Sequence, residues 1–258
     1  MDENTKAAIY IPAFNAALTL PDVLNRIPDN IKDEVREILV VDNHSTDDTF
    51  EVAQSFKEKI GNLKIIRNEE NVGYGGSQKI AYQYFIDKGF DYVAMLHGDA
   101  QYAPELLETL IDVAISHNYG IVFGSRMQGD PLQGGMPIHR YCGNRFLTYI
   151  QNLLLNIRLS EFHSGYRIYA LDELKKLPFQ KLSSDYHFDT EILILFLHYR
   201  LTIGESPIPT HYGDEENYVN IYQYGINVLV TTLTYFLHTK KWRNSKPWSR
   251  ILSSEEIS

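Results

Sequence analysis

The segment EILVVDNHSTDDTFEVAQSFKEKIGNLKIIRN, residues 37–68, carries the pattern that decides the fold. Residues 37–42 hold an unbroken apolar run, Ile38 to Val41, ending at Asp42, and residues 63–68 hold a second short β-rich run with Leu63, Ile65 and Ile66. Runs of this kind, rich in Ile, Leu and Val, mark strands buried on both faces of a parallel sheet. Between them DDTFEVAQSFKEKI has helical periodicity, with Asp47 or Thr46 placed to cap its start. A strand, a crossover helix and a parallel strand follow in order.

The unit repeats outward in both directions. AAIYIPA (7–13) reads as a strand and LTLPDVLNRI (18–27) as a helix. After residue 68 come a loop, ENVGYGGS (70–77), and a helix, QKIAYQYFIDKG (78–89). DYVAML (91–96) and GIVFGSR (120–126) are further strands, separated by the helix PELLETLIDVAISH (104–117). This alternation predicts an α/β fold, a mainly parallel central sheet with helices on both faces. Past residue 126 it loosens into a Gly- and Pro-containing loop, MQGDPLQGGMPIHR (127–140), then a helix, NRFLTYIQNLLLNI (144–157). A short strand, SGYRIYA (164–170), a helix, DTEILILFLHY (189–199), and a strand-like run, LTIGESPIP (201–209), complete the pattern. With no repeat and no low-complexity linker, one domain over residues 1–215 is expected. Residues 216–258 add a C-terminal helix and a basic tail, packed on the domain or at a membrane surface.

Composition narrows the function classes. The 44% hydrophobic and 22% charged residues suit a soluble globular protein, and a net charge of −9 argues against a general nucleic-acid surface. A single cysteine, Cys142, excludes an internal disulfide and fits a reduced, cytoplasmic setting. The opening MDENTKAAIYIPAF has no basic region followed by a long apolar run, so no signal peptide is expected. Residues 219–238, VNIYQYGINVLVTTLTYFLH, reach the length of a spanning helix. Asn220, Gln223, Asn227 and the threonines favour instead a helix packed on the domain, or one lying in the interface. The tail TKKWRNSKPWSR (239–250) sets Lys240, Lys241, Arg243, Lys246 and Arg250 beside Trp242 and Trp248. That mixture suits either an anionic membrane surface at the inner face or a solvated terminus.

Open α/β sheets bind ligands outside the carboxyl ends of their strands. Polar residues stand at four such ends: Asn15 in PAFNA, Asp42 in VDNHSTDDT, Asp99 in HGDAQ and Arg126 in FGSR. A phosphate-binding G-x-x-x-x-G-K-[ST] run does not occur, and the first strand leads into IPAFNAALT without a glycine. GYGG at 73–76 suits a tight turn as well as a phosphate cradle.

Taken in order, YIPAFNA, ILVVDNHSTDDT, NVGYGGSQKIA, MLHGDAQYAPE, VFGSRM, HSGYRIY and FDTEIL resemble the family 2 glycosyltransferases of GT-A fold over residues 7–215. The nearest-looking branch is the dolichyl-phosphate mannose synthase-like enzymes. The resemblance implies inverting transfer from a UDP- or GDP-linked nucleotide-diphospho-sugar to a polyprenyl phosphate or a glycan hydroxyl, in cell-envelope or glycan biosynthesis. It implies that Asp42 accepts from the nucleotide base and that Pro12, Ala13 and Asn15 line the base and ribose pocket. His97, Gly98 and Asp99 then face the donor, and Asp99, supported by Gln101, holds Mg²⁺ or Mn²⁺ against the diphosphate. A hard cation with oxygen ligands neutralises the charge of such a leaving group.

Two departures from the family pattern stand out. His97 occupies the first position of the usual D-x-D metal motif, and Ala16 stands where an acidic residue usually follows P-x-[YF]-N. An imidazole at position 97 serves as a metal ligand, which suits Mn²⁺ better than Mg²⁺, as a hydrogen-bonding group on ribose or phosphate, or as a purely structural histidine. Arg126, Arg140 and Arg167 are candidates for phosphate or acceptor contacts, because planar guanidinium groups grip phosphate oxygens in pairs. Arg167 has a structural alternative, pairing with Glu161 or Asp189. Deprotonating a hydroxyl acceptor needs a carboxylate, for which Asp189, Glu191 and Glu161 are candidates. Positions 189 and 191 at a helix start point in different directions, so one at most faces the site. A phosphate acceptor needs no base. Two other readings are a nucleotide-sugar-binding protein without catalysis and a sugar nucleotidyltransferase, which would carry a Gly-rich basic loop after the first strand.

Overall fold

The computed structural model describes residues 5–209, 220–239, 248 and 251–252. Among these residues seven strands form one sheet: β1 (Ala7–Ala13), β2 (Glu37–Asp42), β3 (Leu63–Arg67), β4 (Tyr92–Met95), β5 (Ile121–Ser125), β6 (Arg167–Ala170) and β7 (Ile203–Pro207), in spatial order β3-β2-β1-β4-β6-β5-β7. The helices are α1 (Leu20–Arg26), α2 (Asp29–Glu34), α3 (Thr49–Ser55), α4 (Tyr74–Asp87), α5 (Leu107–Ser116), α6 (Ile138–Leu155), α7 (Leu171–Leu174), α8 (Phe188–His198) and α9 (Ile221–Thr239). Every pairing is parallel except those of β6, which runs antiparallel to both β4 and β5. No sequence signal separated β6 from its neighbours, because strand direction leaves no mark on a short apolar run.

The sheet separates two apolar layers, and strand alternation assigns residues to them. Ile9, Ile11, Ile38 and Val40 pack with Leu20, Val23 and Leu24 of α1 and with Leu107, Leu110 and Ile111 of α5. Tyr10, Leu39 and Val41 point the other way, onto Tyr82 and Phe85 of α4 and Ile192 through Phe196 of α8. Each fully buried aliphatic side chain contributes about 1.5–3 kcal/mol, which makes these strands the stable base of the molecule. The chain runs from β1 outward to β3, then returns to the other side of β1 with β4. That reversal opens a crevice above the carboxyl ends of β1 and β4.

Three sequence expectations change. The stretch ENVGYGGS, read as a loop, is helical from Tyr74. Gly73 has φ +80°, and a Cβ there would lie 2.3 Å from the Ser184 carbonyl oxygen, which accepts from the Gly75 amide at 2.9 Å. These glycines therefore let the first turn of α4 approach the 183–184 backbone. The Gly- and Pro-containing loop ends early too, since α6 begins at Ile138, directly after Pro137. Finally, Trp248 is no surface anchor: it is buried, donates from Nε1 to the Thr231 carbonyl at 3.1 Å and meets the Tyr235 ring edge-on at 5.1 Å.

The other tail residues named above, Lys240, Lys241, Trp242, Arg243, Lys246 and Arg250, and the boundary at 215–216 lie outside the described residues. Helix α9 packs against α6 and α8. Among the described residues no helix is long and apolar enough to cross a membrane.

Candidate active site

A cleft of about 1270 Å³ opens at the carboxyl ends of β1 and β4. One wall is the β1–α1 loop with Pro12, Ala13 and Asn15, stitched to the loop after β2. Asn15 Oδ1 accepts from the Thr46 amide at 2.9 Å, and the Asn15 amide donates to Ser45 Oγ at 2.9 Å. Asp47 joins the two loops, accepting from the Ala17 amide at 3.0 Å and the Thr49 amide at 3.0 Å. It thus serves the start of α3 from one position before the N-cap, Asp48.

The floor is the turn after β4. Gly98 donates to the Pro12 carbonyl at 3.2 Å and its own carbonyl accepts from Thr19 Oγ1 at 2.7 Å, which fixes Asp99 below the opening. Asp99 Oδ1 accepts from the Gln101 amide at 3.1 Å, and Ala100 between them adopts φ 61°, a strained conformation for a residue with a Cβ. Asp99 Oδ2 lies 3.8 Å from His97 Nδ1. On its far side the His97 ring meets Tyr74, with Nε2 at 3.1 Å from the phenolic oxygen, and that hydroxyl donates to Asp189 Oδ2 at 2.9 Å. Asp189 Oδ1 accepts from Gln78 at 3.2 Å and faces Arg167 Nη1 at 3.7 Å. Burial, reinforced by the Asp189 charge, pushes the Tyr74 hydroxyl far above the ordinary phenol range, so it keeps its proton.

A second buried pair closes the other side. Glu161 Oε1 accepts from Arg126 Nε at 2.8 Å, from Arg126 Nη2 and from Asn144 Nδ2 at 2.7 Å. Its Oε2 accepts from the Arg126 amide at 2.9 Å. Burial alone would raise this carboxyl, but the Arg126 guanidinium outweighs it and holds Glu161 below the usual carboxylate range. Beside it, burial lowers the His163 imidazole to about 4, so the ring is neutral where it meets Tyr224 at 2.9 Å.

The sequence carries the signature described as Glycosyl transferase family 2 over residues 8–177. The chain belongs to that family. It is a glycosyltransferase. Among its relatives is the UDP-N-acetylglucosamine–dolichyl-phosphate N-acetylglucosaminyltransferase of Methanococcus voltae, 28% identical over an alignment of 218 residues that covers 80% of this chain and 86% of the relative. Another is the undecaprenyl-phosphate mannosyltransferase of Micrococcus luteus, 24% identical, covering 77% of this chain and 80% of the relative. The fold is that of GT-A glycosyltransferases. The glucosyl-3-phosphoglycerate synthase of Mycobacterium tuberculosis, solved with Mn²⁺, uridine diphosphate and glucosyl-3-phosphoglycerate, superposes with a TM-score of 0.64 at 16% identity, over 90% of this chain and 80% of that one.

Within this glycosyltransferase the cleft gathers Pro12, Ala13, Asn15, His97, Gly98, Asp99, Gln101, Arg126, Arg140 and Asp189. Four residues named from sequence are elsewhere. Asp42 is fully buried under the cleft wall, paired with Arg67 at 3.2 Å and accepting from the Ser45 amide at 2.9 Å, so it shapes the loop that carries Thr46 and does not itself line the cleft. Arg167 is fully buried and donates to the Asp189 carbonyl at 2.9 Å, the structural alternative. Glu191 turns away from the cleft to the Ser183 amide at 2.6 Å, and Glu161 lies beneath the surface with Arg126. Sequence reading missed Tyr74, Tyr102, Asn144 and Gly165. The only local hint was a tyrosine set within the glycine run at 73–76.

Among the described residues no group of three or more His, Cys, Asp or Glu side chains is arranged to hold an ion alone. His97 Nδ1 and Asp99 Oδ2 supply two donors on one side of the cleft. That set fits an ion whose remaining ligands are the oxygens of a bound diphosphate and water.

Proposed function

We propose that this glycosyltransferase moves a sugar, with inversion, from a UDP- or GDP-linked donor to the phosphate of a polyprenyl carrier on the cytoplasmic face of a membrane. The observation that carries the reading is the engagement of the candidate bases. Glu161 is neutralised by Arg126, Glu191 points away, and Asp189, which does reach the cleft, is committed to Tyr74, Gln78 and Arg167. The donors gathered around these carboxylates occupy the oxygens that a hydroxyl acceptor would have to reach, whereas a phosphate oxygen attacks without losing a proton. In the displacement this oxygen bonds to the anomeric carbon as the bond to the nucleoside diphosphate breaks, its electron pair passing to the departing phosphate. Pro12, Ala13 and Asn15 line the nucleotide, while Arg126 and Arg140 orient phosphate oxygens. Asp99 would hold the Mg²⁺ or Mn²⁺, which supplies charge neutralisation to the diphosphate.

The acceptor side supports a lipid. Phe146, Tyr149 and Leu153 on α6 and Tyr222, Ile226, Val230 and Leu233 on α9 are exposed apolar stripes on two packed helices. Neither helix contains an acidic residue, although the whole chain is strongly acidic, and α6 carries Arg140 and Arg145. The stripes adjoin the cleft at Ile221 and Arg140, so an apolar chain in the bilayer can present its phosphate at the opening. In this reading residues 1–215 form the catalytic unit, and α9 forms the acceptor edge. Two relatives, the dolichyl-phosphate N-acetylglucosaminyltransferase and the undecaprenyl-phosphate mannosyltransferase, support this reading.

The test is a screen of UDP- and GDP-sugars with Mg²⁺ or Mn²⁺ against polyprenyl phosphate and against soluble glycans. Metal-dependent transfer to the lipid phosphate, abolished by Asp99→Ala, is expected. Transfer to sugar hydroxyls alone, or donor binding without turnover, overturns the reading.

A further inference from the structure

Residue 97 departs from the family's usual carboxylate, and its surroundings are built for an imidazole. The Asp189 carboxylate accepts at both oxygens and takes the Tyr74 proton. A hydroxyl has a single proton to give, so the Tyr74 oxygen meets His97 Nε2 at 3.1 Å as an acceptor, and Nε2 bears the hydrogen. In a neutral imidazole the lone pair is then on Nδ1. That atom faces Asp99 Oδ2 at 3.8 Å, a distance too long for a direct hydrogen bond, with two electron-rich atoms turned to the same space.

The ring is also prevented from turning. It packs edge-on against Tyr74 and Tyr102, with centroids 5.7 and 5.2 Å away. Gly165 closes the third side, where a Cβ would lie 2.4 Å from His97 Nε2 and 3.1 Å from the Tyr74 hydroxyl. Metal-bound histidines commonly donate their second ring N–H to such an oriented partner.

We propose that the Asp189–Tyr74–His97 relay holds His97 in its Nε2–H tautomer, so that Nδ1 joins Asp99 as the second protein ligand of the divalent ion. Tyr74 is a positioning residue, acting through His97. The inference rests on the metal-dependent reading above, and its test separates the two.

Histidine ¹⁵N NMR on the metal-free protein near neutral pH reads the tautomer. Pulsed EPR of Mn²⁺, with UDP or GDP present, reads nitrogen coupling and affinity. Wild type should show the Nε2–H form and a nitrogen coupled to Mn²⁺. Tyr74→Phe should mix the tautomers and weaken Mn²⁺ binding roughly 10- to 100-fold. His97→Asp, which keeps a ligand at the position, should retain Mn²⁺ within about tenfold and lose the nitrogen coupling. A doubly protonated or Nδ1–H ring in the wild type overturns the relay. Mn²⁺ bound without nitrogen coupling, equally tightly in His97→Gln, overturns ligation by His97 while leaving the Asp99 ion in place. Mn²⁺ binding that is absent, or indifferent to Asp99→Ala, removes the metal reading and the relay's purpose together.

Discussion

Glu161→Gln separates a structural carboxylate from a catalytic base. Among the described residues the hydrogen-bond partners of this carboxylate are donors: the Arg126 amide on Oε2, and Arg126 Nε, Arg126 Nη2 and Asn144 Nδ2 on Oε1. A glutamine amide, whichever way it is turned, points its NH₂ at one of these donors and leaves the guanidinium without its counter-charge. Breaking a buried pair costs about 3–5 kcal/mol. Arg126 retains 11% side-chain exposure and a bond to the His163 carbonyl at 3.0 Å, which puts the loss at the lower end, about 3 kcal/mol. For a chain of this size that lowers the melting temperature by about 6–12 °C. The sign of the pH dependence follows from the depressed carboxyl. Its contribution is present above the unfolded value of 4.5 and is lost as pH falls through the lower folded value, so the gap between wild type and variant narrows in acid. Urea unfolding at neutral and acid pH measures the gap, and steady-state kinetics below the transition should place the loss mainly in donor KM, through Arg126, with kcat within about tenfold of wild type. A fall of about 100- to 10 000-fold in kcat at unchanged stability would refute the argument and make Glu161 the base.

Three further perturbations read other parts of the molecule. Burial raises the Glu191 carboxyl from 4.5 to about 7 against the opposing Ser183 amide, so the fold is penalised increasingly between those values and fully above them. Glu191→Gln should therefore stabilise by as much as about 3 kcal/mol at pH 8 and little at pH 4, and equal effects at both in a denaturation series contradict the assignment. Gly165→Ala drives a methyl to 2.4 Å from His97 Nε2 and should lower Mn²⁺ affinity measured by EPR, with donor-nucleotide binding in the absence of metal preserved. Phe146→Glu combined with Val230→Glu puts charge on both exposed stripes and should reduce cosedimentation with vesicles containing polyprenyl phosphate at least about tenfold, with donor hydrolysis in detergent unchanged; undiminished vesicle binding removes the membrane role of α6 and α9.

Much of the framework was legible along the chain. β1 and β2 read correctly because a strand covered on both faces must be apolar at nearly every position, and the two are buried almost throughout. Asp99 and Arg126 were found because the end of a parallel strand is where such sheets meet their ligands, and both do line the cleft. The helix layers on the two faces follow from the same local, periodic information. It ends where side chains choose partners. Tyr74 and Asp189 are 115 residues apart and Arg126 and Glu161 are 35 apart, and no periodicity says that they meet. The tertiary structure alone decided that Arg167 and Asp42 are internal, that Glu161 is spent on Arg126, and that His97 is locked between two tyrosines and a glycine. The physical reason is that hydrophobic pattern records only whether a position is buried. Which charge a buried polar group faces depends on how α4, β4 and α8 converge, and that convergence is a property of the packed whole.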